Sequence, residues 1–132
     1  MKKDIPVRKV EKLAIAILPR ENEQELWDCY LLNLDKKPIK NVLISSKGYG
    51  KLEGERKNTT VLRHFFERIG GGQAEKIEPI QSSLFELTNE FWVSFIQEDY
   101  MYDKKYVFVK GAISDDYLTH VPLLERPGVM IR

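Results

Sequence analysis

The chain has 132 residues, a formal net charge of +1 at pH 7, 42% apolar residues and 31% charged residues. That length suits one domain with a single hydrophobic core, which at this size needs neither disulfides nor a structural metal. The balance excludes intrinsic disorder, which requires low hydrophobicity with high net charge. It also lacks the overall basic excess with which a dedicated nucleic-acid-binding domain neutralises phosphates.

A local basic excess opens the chain, where Lys2, Lys3, Arg8, Lys9 and Lys12 outnumber Asp4 and Glu11. Residues 1–12 therefore read as a solvated, flexible arm. Leu13 to Leu18 is an apolar run stopped by Pro19. It is too short for a signal-peptide core or a bilayer span, so it reads as a strand and no membrane association is expected. In Trp27 to Leu34, Trp27, Cys29 and Leu31 alternate with Tyr30, Leu32 and Leu34. Apolar residues on both faces mark a central strand. Asp35-Lys-Lys-Pro38 is a turn signal, and Asn41 to Ser46 resumes as a strand, so 26–46 reads as a hairpin. The glycine-rich stretch Lys47 to Gly54, with its polar continuation to Asn58, reads as a loop.

Residues 59–69 fit two periods. Leu62, Phe65, Phe66 and Ile69 have helical spacing before Gly70-Gly-Gly72, whereas Thr59-Thr-Val61 and the alternation Leu62, His64, Phe66 suit a strand. The β-rich surroundings favour the strand, with one short helix as the alternative. Ala74 to Ile80 alternates weakly, and Leu84 to Leu87 is a short apolar piece. Phe91 to Ile96 and Tyr106 to Val109 are strands joined by a polar turn at Gln97 to Asp99, a second hairpin. Ser114-Asp-Asp-Tyr117 can cap one helical turn. The tail 121–132 carries Pro122 and Pro127 and reads as extended. About seven strands at this spacing predict an all-β, immunoglobulin-like sandwich, one domain over 1–132.

The chemistry-bearing residues are sparse. Cys29, His64 and His120 do not stand at metal-ligand spacing, and Asp115-Asp116 near His120 suits a solvated turn. No metal or cofactor is expected. Cys29, the single cysteine, sits among apolar neighbours as a packing residue, so no intrachain disulfide is expected and a reducing cytoplasm is the expected compartment. Ser45-Ser46 lack a nucleophile elbow, and His64 stands alone as a possible base, so no catalytic residue is named. Two candidate binding patches remain. In one, Tyr49 offers a ring and Lys47 and Lys51 offer charge. In the other, Arg63 and His64 lie beside Phe65-Phe66, on a strand whose edge could pair with a partner or a second copy.

Several stretches carry a resemblance: WDCYLLNL (27–34), NVLISSKGYG (41–50), TTVLRHFFERI (59–69), LTNEFWVSF (87–95), DKKYVFV (103–109) and PLLERPGVMI (122–131). Together they resemble a small, largely uncharacterised bacterial family whose members are often labelled phenylalanyl-tRNA synthetase alpha subunit. The resemblance implies a role in tRNA aminoacylation, as an accessory or an RNA binder. No functional residue transfers with it, because Arg63 and Arg126 stand without a surrounding glycine-rich, arginine-bearing motif. The residues themselves favour a cytoplasmic binding module for a protein partner, without catalysis.

Overall fold

The computed structural model describes residues 9–132; most of the expected N-terminal arm, residues 1–8, lies outside the described residues. Ten strands follow in order: β1 (Leu13–Arg20), β2 (Glu23–Asn33), β3 (Ile39–Leu52), β4 (Glu55–Asn58), β5 (Leu62–Ile69), β6 (Ala74–Gln81), β7 (Thr88–Gln97), β8 (Tyr100–Phe108), β9 (Thr119–Val121) and β10 (Arg126–Ile131). They form two antiparallel sheets. The first has the order β6-β2-β1-β10-β9, and the second β4-β3-β7-β8 with β5 also paired to β3. The all-β sandwich holds, with more strands than the spacing suggests, because stretches that read as loop and tail also pair.

The sheets meet through a core in which Ile15, Ile17 and Leu31 of the first face Ile44, Phe91, Val93 and Phe108 of the second. Burying each such side chain contributes about 1.5–3 kcal/mol. Trp27 meets Phe85 edge-on at 5.0 Å between centroids. Phe85 is carried there by the 3-10 turn Ser82–Glu86, which overlaps the short apolar piece Leu84 to Leu87. The buried Tyr106 hydroxyl donates to the Leu13 carbonyl oxygen at 2.9 Å, tying β8 to β1 across the sheets. Burial pushes that phenol well above its ordinary pKa, so it stays a neutral donor.

Two expectations are corrected. Residues 26–46 are not a hairpin. β2 pairs with β1 and β6, whereas β3 pairs with β4, β5 and β7, so Asp35 to Pro38 carries the chain from one sheet to the other. Buried Asn33 makes that turn, its Nδ2 donating to the carbonyls of Lys37, Ile69 and Gly70 while its Oδ1 accepts from the Asp35 N–H. Nor are residues 47–58 a loop. β3 runs through Lys47 to Leu52, turns at Glu53-Gly54 and returns as β4. Glycine suits this strand because a Cβ at Gly48 would sit tightly against Thr59 Cγ2 at 3.1 Å and Asn89 Oδ1 at 3.2 Å, and Gly50 adopts a φ of 140°. The glycines mark close backbone approach rather than a break.

The remaining segments follow their patterns. Residues 62–69 form strand β5 at the sheet edge, with Phe66 against the core and Phe65 exposed. The β7–β8 hairpin turns at Glu98 and Asp99, both at positive φ (49° and 68°), as a two-residue turn matched to strand twist requires. Ser114 caps the short turn Asp115–Tyr117 through its side chain. The extended tail completes its own sheet, β10 pairing with β1 and β9.

Candidate functional site

The exposed face of the second sheet carries the densest array of recognition-type side chains. Alternation along each strand sends Phe91, Val93 and Phe95 inward and Glu90, Trp92 and Ser94 outward. Cross-strand registers then line up two rows. One runs Arg63, Ser45, Trp92, Lys105 across β5, β3, β7 and β8; the next runs Phe65, Leu43, Ser94, Asp103. Trp92 is 47% exposed, Phe65 61% and Leu43 43%. The burial of such rings normally drives sandwich formation, yet here they face solvent.

Glu90 organises the charges beside them. Its carboxylate accepts from the Tyr49 hydroxyl at 3.2 Å and lies 3.8 Å from Lys47 Nζ and 4.0 Å from Lys105 Nζ. Lys105 Nζ in turn stands 5.1 Å over the Trp92 ring, and Lys47 Nζ 5.7 Å from the Tyr49 ring. Partial burial, then the bond to Glu90, raises the pKa of Tyr49, so the phenol remains a donor. The face thus presents aromatic area framed by cations whose charge is partly met from within.

Of the sequence-predicted binding residues, Lys47, Tyr49 and Arg63 share this face. Lys51 lies farther along β3, opposite Arg56 in the β3–β4 hairpin. His64 points the other way. It is inward-facing, with its Nε2 2.6 Å from Glu78 Oε1 of the opposite sheet. Ser46 of β3 joins them, its hydroxyl donating to both Glu78 oxygens at 2.9 and 3.0 Å. Three polar side chains from three strands therefore meet inside the sandwich. This is not the arrangement of a nucleophilic triad, in which the histidine bridges hydroxyl and carboxylate. Here the carboxylate is the bridge, and His64 Nε2 is already committed to it.

Cys29 is buried opposite Glu78, and burial, reinforced by Glu78 and Asp28, pushes its thiol well up, away from the reactive thiolate. Exposed His120 contacts Glu125 at 3.3 Å. Among the described residues no group of three or more His, Cys, Asp or Glu is placed to hold a metal ion. No helix of the described residues is long and apolar enough to cross a membrane.

Sequence reasoning missed Trp92, Glu90, Lys105 and Glu78 as site residues. The signal for the first three lay in the alternation of β7 and β8, which puts Trp92 opposite the core residues Phe91 and Val93. For Glu78 the signal was a charged residue in phase with Ile80 on a half-buried strand. The chain matches no family model and no curated protein.

Proposed function

We propose that the chain is a non-catalytic binding module whose recognition surface is the outer face of the second sheet, and that its partner is a protein. One observation carries this reading: Trp92, Phe65 and Leu43 form an exposed apolar strip across three strands, bordered by Arg63, Lys105, Lys47, Glu90 and Asp103. Tryptophan, tyrosine and arginine anchors are the side chains that concentrate binding energy at protein interfaces. Charges of both signs call for a partner that offers both signs, as a protein surface does. A polyanion would have to approach Glu90 and Asp103, and Lys105 already occupies one face of the Trp92 ring.

The reading includes an immunoglobulin-like class for the sandwich and a reducing cytoplasmic setting, which suits a single thiol held in the core. The alternative, RNA binding as an accessory to aminoacylation, draws on the family resemblance and on the same rings and cations.

Photo-crosslinking from position 92 or 65, compared with position 25 on the first sheet, tests the choice. The reading expects one protein crosslinked from positions 92 and 65 and not from 25, whose complex, rebuilt from purified components, weakens in Trp92→Ala. Crosslinks to RNA, with filter retention of tRNA falling steeply with salt, would replace it by the alternative. Phenylalanine-dependent ATP–pyrophosphate exchange would overturn the absence of catalysis.

A further inference from the structure

The inward-facing cluster of Ser46 and Glu78 borders a pocket of about 230 Å³ between the sheets. Leu62, Ile80, Leu84 and Phe91 supply apolar wall, and Asn89 lies among them. The volume is below the range of about 300–1,000 Å³ usual for drug-sized ligands, so the occupant is small. We propose that this pocket binds a small amine in its protonated form, with the ammonium on the Glu78 carboxylate and the apolar body against Leu62, Leu84 and Phe91.

The polar inventory of the wall selects a cation. The Glu78 side chain is only 11% exposed. Its Oε1 accepts from Ser46 and meets His64, but its Oε2 takes the Ser46 hydroxyl alone, which leaves acceptor capacity on a carboxylate. Asn89 is 5% exposed and spends its Nδ2 on the carbonyls of Leu84 and Leu87. Among the described residues no donor meets its Oδ1, so it is a second open acceptor. Of the wall's donors, the Ser46 hydroxyl is used on Glu78 and the Thr59 hydroxyl on the Thr60 carbonyl, while the Thr60 hydroxyl and the Gln81 amide belong to exposed residues that solvent reaches. Lys47, the other charged residue of the wall, is drawn to Glu90 on the outer face. A partly desolvated carboxylate that His64 and Ser46 meet mainly on one oxygen, with spare acceptor capacity on the other and no lysine or arginine beside it, repels anions and favours an ammonium.

Ser46, Glu78 and Asn89 are all inward-facing on strands whose neighbours are core residues, where an unneeded polar group is costly. The site is separate from the outer sheet face, so its failure would leave the protein-binding reading intact.

Titration at pH 7 with benzylammonium, benzyl alcohol and benzoate, followed by calorimetry and by backbone amide shifts, tests the proposal without altering the protein. Saturable benzylammonium binding is expected, with shifts centred on Ser46, Glu78, Leu84 and Asn89. Benzyl alcohol should bind at least about tenfold more weakly, and benzoate should not bind. Glu78→Gln should weaken benzylammonium by about tenfold or more while leaving benzyl alcohol unchanged. Equal affinity for benzylammonium and benzyl alcohol, shifts centred elsewhere, or no binding to the unmodified protein through the millimolar range would each overturn it.

Discussion

His64 Nε2 lies 2.6 Å from Glu78 Oε1, joining edge strand β5 of one sheet to edge strand β6 of the other. The contact ties the two sheets together across the side of the sandwich where the glycine turn 70–72 connects β5 to β6. A hydrogen bond to a charged group contributes about 1.5–3 kcal/mol. His64→Ala should therefore lower stability by about 1–3 kcal/mol, since Glu78 would keep Ser46 alone. A double-mutant cycle with Glu78→Gln in urea unfolding should show coupling of about 0.5 kcal/mol or more; additive effects would mean that the two residues do not act as a pair.

The sheet-to-sheet crossover at Asp35 to Pro38 depends on Asn33 and on the absence of a side chain at Gly71. Asn33 is 1% exposed and satisfies the Lys37 carbonyl within the crossover and the Ile69 and Gly70 carbonyls at the end of β5. A Cβ at Gly71 would collide with the Lys36 carbonyl, a backbone group with no easy way to yield. Asn33→Ala should cost about 2–4 kcal/mol, through lost bonds and buried acceptors left unmet. Gly71→Ala should cost at least about 1–3 kcal/mol through overpacking. Chemical denaturation measures both, and near-neutral values would show that the crossover tolerates other geometries.

Acid should destabilise the protein partly through Asp28. Burial pushes its carboxyl up, but the hydrogen bonds from Arg20 (2.9 Å) and Lys76 (3.3 Å) outweigh this and hold it below the ordinary carboxylate value. A carboxyl whose folded pKa lies below its unfolded value, about 3.9, contributes stability above that pH and loses it as pH falls through the folded value. Asp28→Asn should therefore be less stable than the parent at pH 7 and lose less on acidification to about pH 2. Parallel acid limbs in pH-dependent unfolding would contradict this.

Removing residues 121–132 should expose the edge of β1. The β10 pairings Ile15 with Ile131 and Ile17 with Val129 would go, and so would Val121 from the second buried cluster around Ala14, Ala16 and Leu18. The bared edge of β1 would then be free to pair with other chains. A sharp rise in mass on a sizing column is the expected result; an unchanged monomeric mass and solubility would show that the tail is not the cap.

Much of the fold was legible because β1 and β2 are apolar on both faces and period-two alternation survives in β5 and β7, which bury one face. Sheet membership was not legible. A Pro-containing turn between two apolar strands reads as a hairpin, and only the distant partners of Asn33, Ile69 and Gly70, reveal a crossover. Gly48 and Gly50 read as loop because the tight fit at Gly48 depends on the distant Thr59 and Asn89, and Gly50 is set apart by a backbone φ of 140° rather than by a pattern. The site was half legible: Lys47, Tyr49 and Arg63 stood out by type, but their company with Trp92, Glu90 and Lys105 comes from register across strands. The inward contact of His64 was not legible because its companions, Ser46 of β3 and Glu78 of β6, are distant in the chain.

The central claim is that the Trp92 face is where a partner protein docks. Its most direct measurement is the affinity of the purified complex for the parent and for Trp92→Ala combined with Phe65→Ala, alongside urea unfolding of both. Each ring is about half or more exposed, so the double variant should lose only about 1–2 kcal/mol, from strand propensity and cross-strand contacts, and remain folded. Affinity should fall by a factor of about 30 or more, as for interface anchors worth at least about 2 kcal/mol. Unchanged affinity in a stably folded double variant would contradict the account.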